Sequence, residues 1–274
     1  QTSIMKRLLL ALLALSLLPA CVTSPTGRAQ LMLISPESAI VESKKAYLST
    51  VSELDKENKL VDDPKLMDRV ATITGRLVTV AKQKYPKSAN WEWSVAIVDD
   101  PKTVNAWCMA GGRMAVYTGL FSELNLTDDE FAQIMGHEIS HALANHTAER
   151  MSRAMATSLG IIAVSVAADN HGAAMLGAAA AAKVALELPN SRTAELEADN
   201  LGMRLATQAG YEPDAAVTLW QKMAKTGGSA PPEFLSTHPA PGNREAQLAA
   251  MIPEMRDLNP DGRLAPIAPV QIVR

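Results

Sequence analysis

The chain runs to 274 residues, 47% of them hydrophobic, with a net charge of −3 at neutral pH. That length buries one substantial core, and the apolar fraction is that of a globular protein. No basic run and no interleaving of aromatic with basic residues is present, which excludes nucleic acid as a partner.

The N-terminus reads as a targeting segment. Met5 is the expected start, Lys6 and Arg7 supply positive charge, and Leu8 to Leu18 is an apolar run too short for a stable membrane span. It ends Leu18-Pro19-Ala20-Cys21, small residues before a cysteine that resemble a bacterial lipobox. Residues 1–20 are therefore expected to be a lipoprotein-type signal peptide, Cys21 the lipidated residue, and residues 21–35 a tether. The alternative is an ordinary secretory peptide with Cys21 incidental. The second cysteine, Cys108, cannot pair with a lipidated Cys21 and is expected as a lone thiol.

Next comes a helical pattern from Pro36 to about Asn58, then a second helix capped by Asp63 with Pro64 in its first turn and ending near Lys84. The run from Trp91 to Val98 is a strand. The stretch Asn105 to Tyr117 reads as a hairpin turned at Gly111-Gly112. Its second strand, Arg113, Met114, Ala115, Val116 and Tyr117, is expected as an edge that holds an extended peptide by β-augmentation; a plain core hairpin is the alternative. Residues 119–124 form a short helical turn. Thr127 with Glu130 three residues later is a capping box opening a helix at about 128, whose buried stripe is Phe131, Ile134, Met135, Ile139 and Leu143.

That helix carries His137-Glu138-Ile139-Ser140-His141. At about 100° per residue the two histidines fall roughly 40° apart, one turn from each other. Two imidazoles so placed grip one zinc ion, and Glu138 beside them stands where a general base takes a proton from water. Two ordinary surface histidines are the competing interpretation. The Ala-rich stretch 155–188 follows, broken at Asp169 to Gly172; each half is too short for a bilayer, so a hairpin of small-residue helices is expected. Ser191 then opens a helix with Glu195 and Asp199 on one face and Glu197 about 200° round. A catalytic zinc of this type takes one more protein ligand, and Glu195 supplies it; Asp199 is expected to fix a ligand histidine's tautomer. A helix from Pro213 stops at Gly227-Gly228. His238 lies in a Ser-Thr-His-Pro loop that presents rather than packs it, and is read as a transition-state donor or as a fourth zinc ligand of a latent state; a surface histidine ahead of a helix is the alternative. A helix follows from about Asn243 to Met251, and residues 257–274 read as a flexible tail. His146, about 180° from His137 on an ideal helix, is read as a core histidine or one standing behind the ligands, not as a ligand.

His137-Glu138-x-x-His141, Glu195-x-x-x-Asp199 and Thr237-His238-Pro239 with Arg244 together resemble the CAAX-prenyl-protease and HtpX-like zinc metallopeptidases, and most of all their periplasmic lipoprotein branch. The segments Asn105 to Gly112, Tyr117-x-Gly119-Leu120 and His146 to Arg150 share the likeness, which covers about residues 36–256. It implies an α+β, predominantly helical gluzincin domain with a small antiparallel sheet beside the zinc helix. It also implies one Zn2+ per chain on His137, His141 and Glu195, catalysis by Glu138 and a role in envelope protein quality control; His238 and Arg244 are read beside it as regulatory or oxyanion candidates. The expected activity is endopeptidase cleavage of misfolded or unassembled envelope proteins in the periplasm of a Gram-negative bacterium. The expected partners are polypeptide substrates, the outer membrane through a lipid anchor, and outer-membrane assembly or other quality-control proteins. The competing functions are a lipid-anchored chaperone or assembly factor with a structural zinc, and an envelope lipoprotein without chemistry.

Overall fold

The computed structural model describes residues 21–167, 191–226, 232–239 and 242–274. In chain order the elements are β1 (Cys21–Thr23), β2 (Ala29–Leu31), α1 (Pro36–Lys56), α2 (Pro64–Lys84), a 3-10 turn (Pro86–Asn90), β3 (Ser94–Val98), β4 (Ala106–Met109) and β5 (Arg113–Tyr117). They continue with α3 (Gly119–Ser122), α4 (Asp128–Leu143), α5 (His146–Ala167), α6 (Arg192–Gln208), α7 (Ala215–Thr226), α8 (Glu233–Thr237), α9 (Arg244–Arg256) and β6 (Gln271–Val273). Where one domain was expected over 36–256, the chain divides into two compact units. One lies within Gln1–Ala39 and Asn145–Leu188, the other within Ile40–Ala144 and Pro189–Arg274.

The first unit corrects the expected tether. Residues 21–31 form an antiparallel hairpin, β1 with β2. Both terminal nitrogens of Arg28 donate to the Glu149 carboxylate at 2.8 Å, Gln30 Nε2 donates to it at 2.9 Å, and Arg153 reaches it from one turn along α5. Burial disfavours the charge on Glu149, but these donors outweigh it and hold its pKa below the ordinary range. A segment that looks like a linker by composition is thus tied down through two polar side chains. Residues 1–20, expected as a signal peptide, and the second half of the Ala-rich stretch lie outside the described residues. Among the described residues no helix is long and apolar enough to cross a membrane.

In the larger unit the helix starts are local and appear where the caps predict. Asp63 accepts from the Lys65 and Leu66 amides ahead of α2. Thr127 and Glu130 close the capping box on α4: the Glu130 amide donates to Thr127 Oγ1 at 3.2 Å and the Thr127 amide to Glu130 Oε2 at 2.9 Å.

The sheet is mixed, not antiparallel, in the order β4-β5-β3-β6. β4 and β5 form the expected hairpin, turned at Gly111 and Gly112 with φ of +89° and +81°. β5 then runs parallel to β3, and so does β6 from the far end of the chain. Residues 113–117 are consequently not an edge. Hairpin sequence alone cannot say which of its strands turns outward, and here β4 does. Both faces of the sheet are covered. Val95, Ile97, Met114 and Val116 join the main core with α2 and α4, whereas Ala96, Val98 and Ala115 pack under Val51 and Leu54 of α1. This two-sided burial explains why β3 and β5 read as nearly unbroken apolar runs.

Residues 257–274 are no loose tail. The amides of Ala265, Ala268 and Gln271 donate to the carbonyls of Ala209, Gly75 and Trp93, each at 3.0 Å. Arg76 and Thr79 of α2 donate to the carbonyls of Ala265 and Pro266. Every third residue is anchored, the repeat of an extended proline-rich strand, and a search for periods of 2 and 3.6 passes over it.

Candidate active site

Seven polar side chains from four places in the larger unit converge. His137, Glu138 and His141 come from α4, Glu195 and Asp199 from the first two turns of α6, His238 from the residue after α8, and Arg244 from the first residue of α9. All are buried. Ser191 caps α6 by accepting from the Ala194 amide at 3.2 Å, which sets Glu195 in the opening turn.

His137 Nε2 lies 3.0 Å from His141 Nε2 and 3.3 Å from Glu195 Oε2; His141 Nε2 lies 3.4 Å from Glu195 Oε1. His238 Nδ1 is 3.1 Å from Glu195 Oε1 and 3.3 Å from His137 Nε2. One ligand atom from each of His137, His141, Glu195 and His238 falls within 4.8 Å of the others. Three imidazoles and a carboxylate aimed at one point are a donor set for zinc. The electrostatics agree. Burial would lower the His137 pKa, but its bonds to Asp199 and Glu195 prevail and hold it at about 9. Burial would raise Glu195, but His137 and His238 keep it far below the carboxylate range. The centre therefore favours positive charge, and the residues fit a metal cation.

Asp199 Oδ1 is 3.0 Å from His137 Nδ1. With Nδ1 donating there, Nε2 turns its lone pair to the cluster. Arg244 Nη2 donates to the same Asp199 oxygen, and its guanidinium lies 3.5 Å from the centroid of the Trp220 ring. The 3.3 Å approach of Arg244 to His137 Nδ1 follows from this shared acceptor.

Glu138 differs from its neighbours. Its Oε1 is buried without a hydrogen bond, although His238 Nε2 is only 3.3 Å away. Burial pushes its carboxyl above the ordinary range, against the pull of His238 and His137. Glu197 stands outside the cluster, as the helix angle predicts. Cys108, free and buried on β4, has a thiol pushed well up by burial and by the charge of Glu138.

His238 is not presented on a loop. A helical turn, α8, precedes it; His238 ends that turn with φ of −120°, as expected of a residue before proline. Its ring stacks on Phe234 at 4.3 Å. The Phe234 amide donates to the Val104 carbonyl, and Asn105 Nδ2 donates to Glu233 Oε1, which ties α8 to the start of β4. Phe234 and Trp220 were missed as site residues. The available signal was Phe234 four residues before His238, one helical turn away.

This geometry has a counterpart among known proteins: the model of peptidase family M48 matches residues 64–252. The chain belongs to peptidase family M48. The mitochondrial metalloendopeptidase OMA1 of Bos taurus is 31% identical over 245 residues, 85% of this chain and 46% of that protein. The Arabidopsis thaliana mitochondrial metalloendopeptidase OMA1 is 36% identical over 169 residues, covering 60% and 32%. The beta-barrel assembly-enhancing protease of Escherichia coli is 27% identical over 218 residues, covering 76% and 43%. The chain thus spans less than half the length of each of these three. Membership of M48 accords with the zinc donor set and with the α+β helix-rich domain.

Proposed function

We propose that this protein is a zinc-dependent endopeptidase that cuts misfolded or unassembled proteins of a bacterial cell envelope. The observation that carries the reading is Glu138: a buried carboxylate with one oxygen unbonded, beside three convergent imidazoles. A purely structural zinc has no use for it. Zinc held by His137, His141 and Glu195 would supply Lewis acidity, polarising a scissile carbonyl and acidifying water. Glu138 takes the proton of the attacking water and returns it to the leaving amine, and its raised pKa suits both transfers. Asp199 holds the His137 ring by its Nδ1, and Arg244 holds Asp199.

The peptide is best taken by β4. The Tyr117 amide bonds to the Asn105 carbonyl, so by antiparallel alternation the backbone groups of Ala106 and Cys108 face away from β5, where the Ala106 amide bonds to Asn105 Oδ1. An extended substrate adds there as a further strand. As a test of the whole reading, protein purified without added metal should carry about one zinc per chain and cut an unfolded polypeptide. A chelator should stop cleavage and added zinc restore it. Zinc-replete protein that binds the unfolded chain without cutting it would make it a chaperone instead.

His238 is the fourth donor of a latent state, a reading supported by its 3.1 Å approach to Glu195 and 3.3 Å approach to His137. A closed tetrahedral site has no position for water. His238→Ala should keep zinc and cleave faster than wild type. A loss of roughly a hundredfold would make His238 a transition-state donor, and unchanged kinetics would exclude both roles.

Lipidation of Cys21 places the enzyme on the periplasmic side of a membrane, the outer one by preference. The exposed position of Cys21 at the start of β1 is consistent with this, as is the likeness to a beta-barrel assembly-enhancing protease, which also points to outer-membrane assembly proteins as partners. Cys21→Ser should move the protein from the membrane to the soluble fraction. Retention on membranes after a high-salt wash would refute the anchor.

A further inference from the structure

His137, His141 and Glu195 sit on two helices, α4 and α6, and one contact decides how close those helices come. Gly136 of α4 and Gly202 of α6 meet at the crossing. A Cβ built on Gly202 would lie 2.7 Å from the His137 amide nitrogen, 2.8 Å from His137 Cα and 3.0 Å from the Gly136 carbonyl carbon. A Cβ on Gly136 would lie 2.8 Å from the Gly202 carbonyl oxygen. These are backbone atoms, so no side-chain rotation relieves the clash; the helices must part. The neighbours one turn away on each helix are also small and buried: Ala132 and Ser140 on α4, Ala198 and Ala206 on α6. Glycine is among the poorest helix formers, and one kept in a helix interior has a packing reason.

We infer that Gly136 and Gly202 are positioning residues of the metal centre, setting the distance between the imidazoles of α4 and the carboxylates of α6. Asp199 is three residues before Gly202 and Glu195 seven, so both ride on the α6 segment that any wedge displaces. A methyl on Gly202 would press on the backbone of His137 itself, the donor whose Nδ1 meets Asp199 at 3.0 Å and whose Nε2 meets Glu195 at 3.3 Å. Relieving a 2.7 Å contact to ordinary van der Waals range moves the helices apart by a good fraction of an ångström. That displacement is large against hydrogen-bond and ligand tolerances. The inference rests on the zinc-peptidase reading, and the test separates the two.

Zinc affinity of the Gly202→Ala chain is measured by competition with a chromophoric chelator, beside the thermal midpoint of the metal-free protein. Leu205→Ala, a core truncation on the same helix, serves as the control for lost stability; Gly160→Ala, with nothing within 4 Å of the added methyl, serves as the control for the substitution. The expected result is a zinc affinity lower by about tenfold or more for Gly202→Ala, the scale of a disturbed outer shell. The cobalt-substituted protein should also show an altered visible spectrum. Leu205→Ala should lower the midpoint and leave affinity and spectrum as in wild type. If Gly202→Ala does not accumulate folded, Gly136→Ala is the milder wedge and is read in the same way. Wild-type affinity and spectrum in a folded wedge variant would overturn the inference and leave the peptidase reading intact. A wild-type chain that binds no zinc would overturn that reading itself.

Discussion

Glu138→Gln should bind zinc as wild type does and lose roughly 10²- to 10⁴-fold in kcat, the usual worth of one general acid–base group. The amide has the shape of the carboxylate but cannot accept and return a proton. It also fits without repair, because Glu138 Oε1 has no hydrogen bond to lose and the side chain ligates nothing in the donor cluster. The substitution removes a buried carboxyl whose charge burial already disfavours, so the thermal midpoint should hold or rise. The measurements are zinc per chain by metal analysis and the cleavage rate of an unfolded substrate. Activity surviving in a zinc-replete Glu138→Gln protein would end the proposed mechanism.

Glu195→Ala acts one step earlier, on the metal. Glu195 is fully buried and meets His137, His141 and His238 at 3.1 to 3.4 Å. Its removal takes away a ligand and the negative charge that the imidazoles surround. The loss of zinc affinity should exceed the roughly 10- to 100-fold that an outer-shell residue costs, leaving purified protein well below one zinc per chain. Glu197→Ala is the matched comparison. It lies two residues further along the same helix and is also buried, yet stands outside the donor cluster, so its zinc content should match wild type. Equal zinc in both variants would mean that α6 contributes no ligand.

The two outcomes test a site that was largely legible before the fold was known. Helix caps and helix faces are local. Thr127, Glu130, Asp63 and Ser191 act within three residues of themselves, and a spacing of four puts His137 with His141, and Glu195 with Asp199, on one face in any straight helix. Peptidase chemistry leaves a short, local mark for the same reason. The errors share a cause as well. Which strand forms an edge, whether a proline-rich end is loose, and whether a linker is tied down depend on partners distant in sequence: β3 for β5, Gly75 and Trp93 for the C-terminal strap, Glu149 for Arg28.

By itself, then, the sequence determined that two amphipathic helices exist and which faces bear the histidines and carboxylates, because backbone hydrogen bonding fixes those angles within a few residues. Only the tertiary structure decided how closely the two faces meet, that β4 and not β5 lies at an edge of the sheet, and that His238 is buried against Glu195. Those depend on how closely α4 and α6 approach at Gly136 and Gly202 and on how α8 is tied to Val104 and Asn105. Contacts between residues far apart in the chain follow from shape complementarity of the packed core, which no local period in the sequence records.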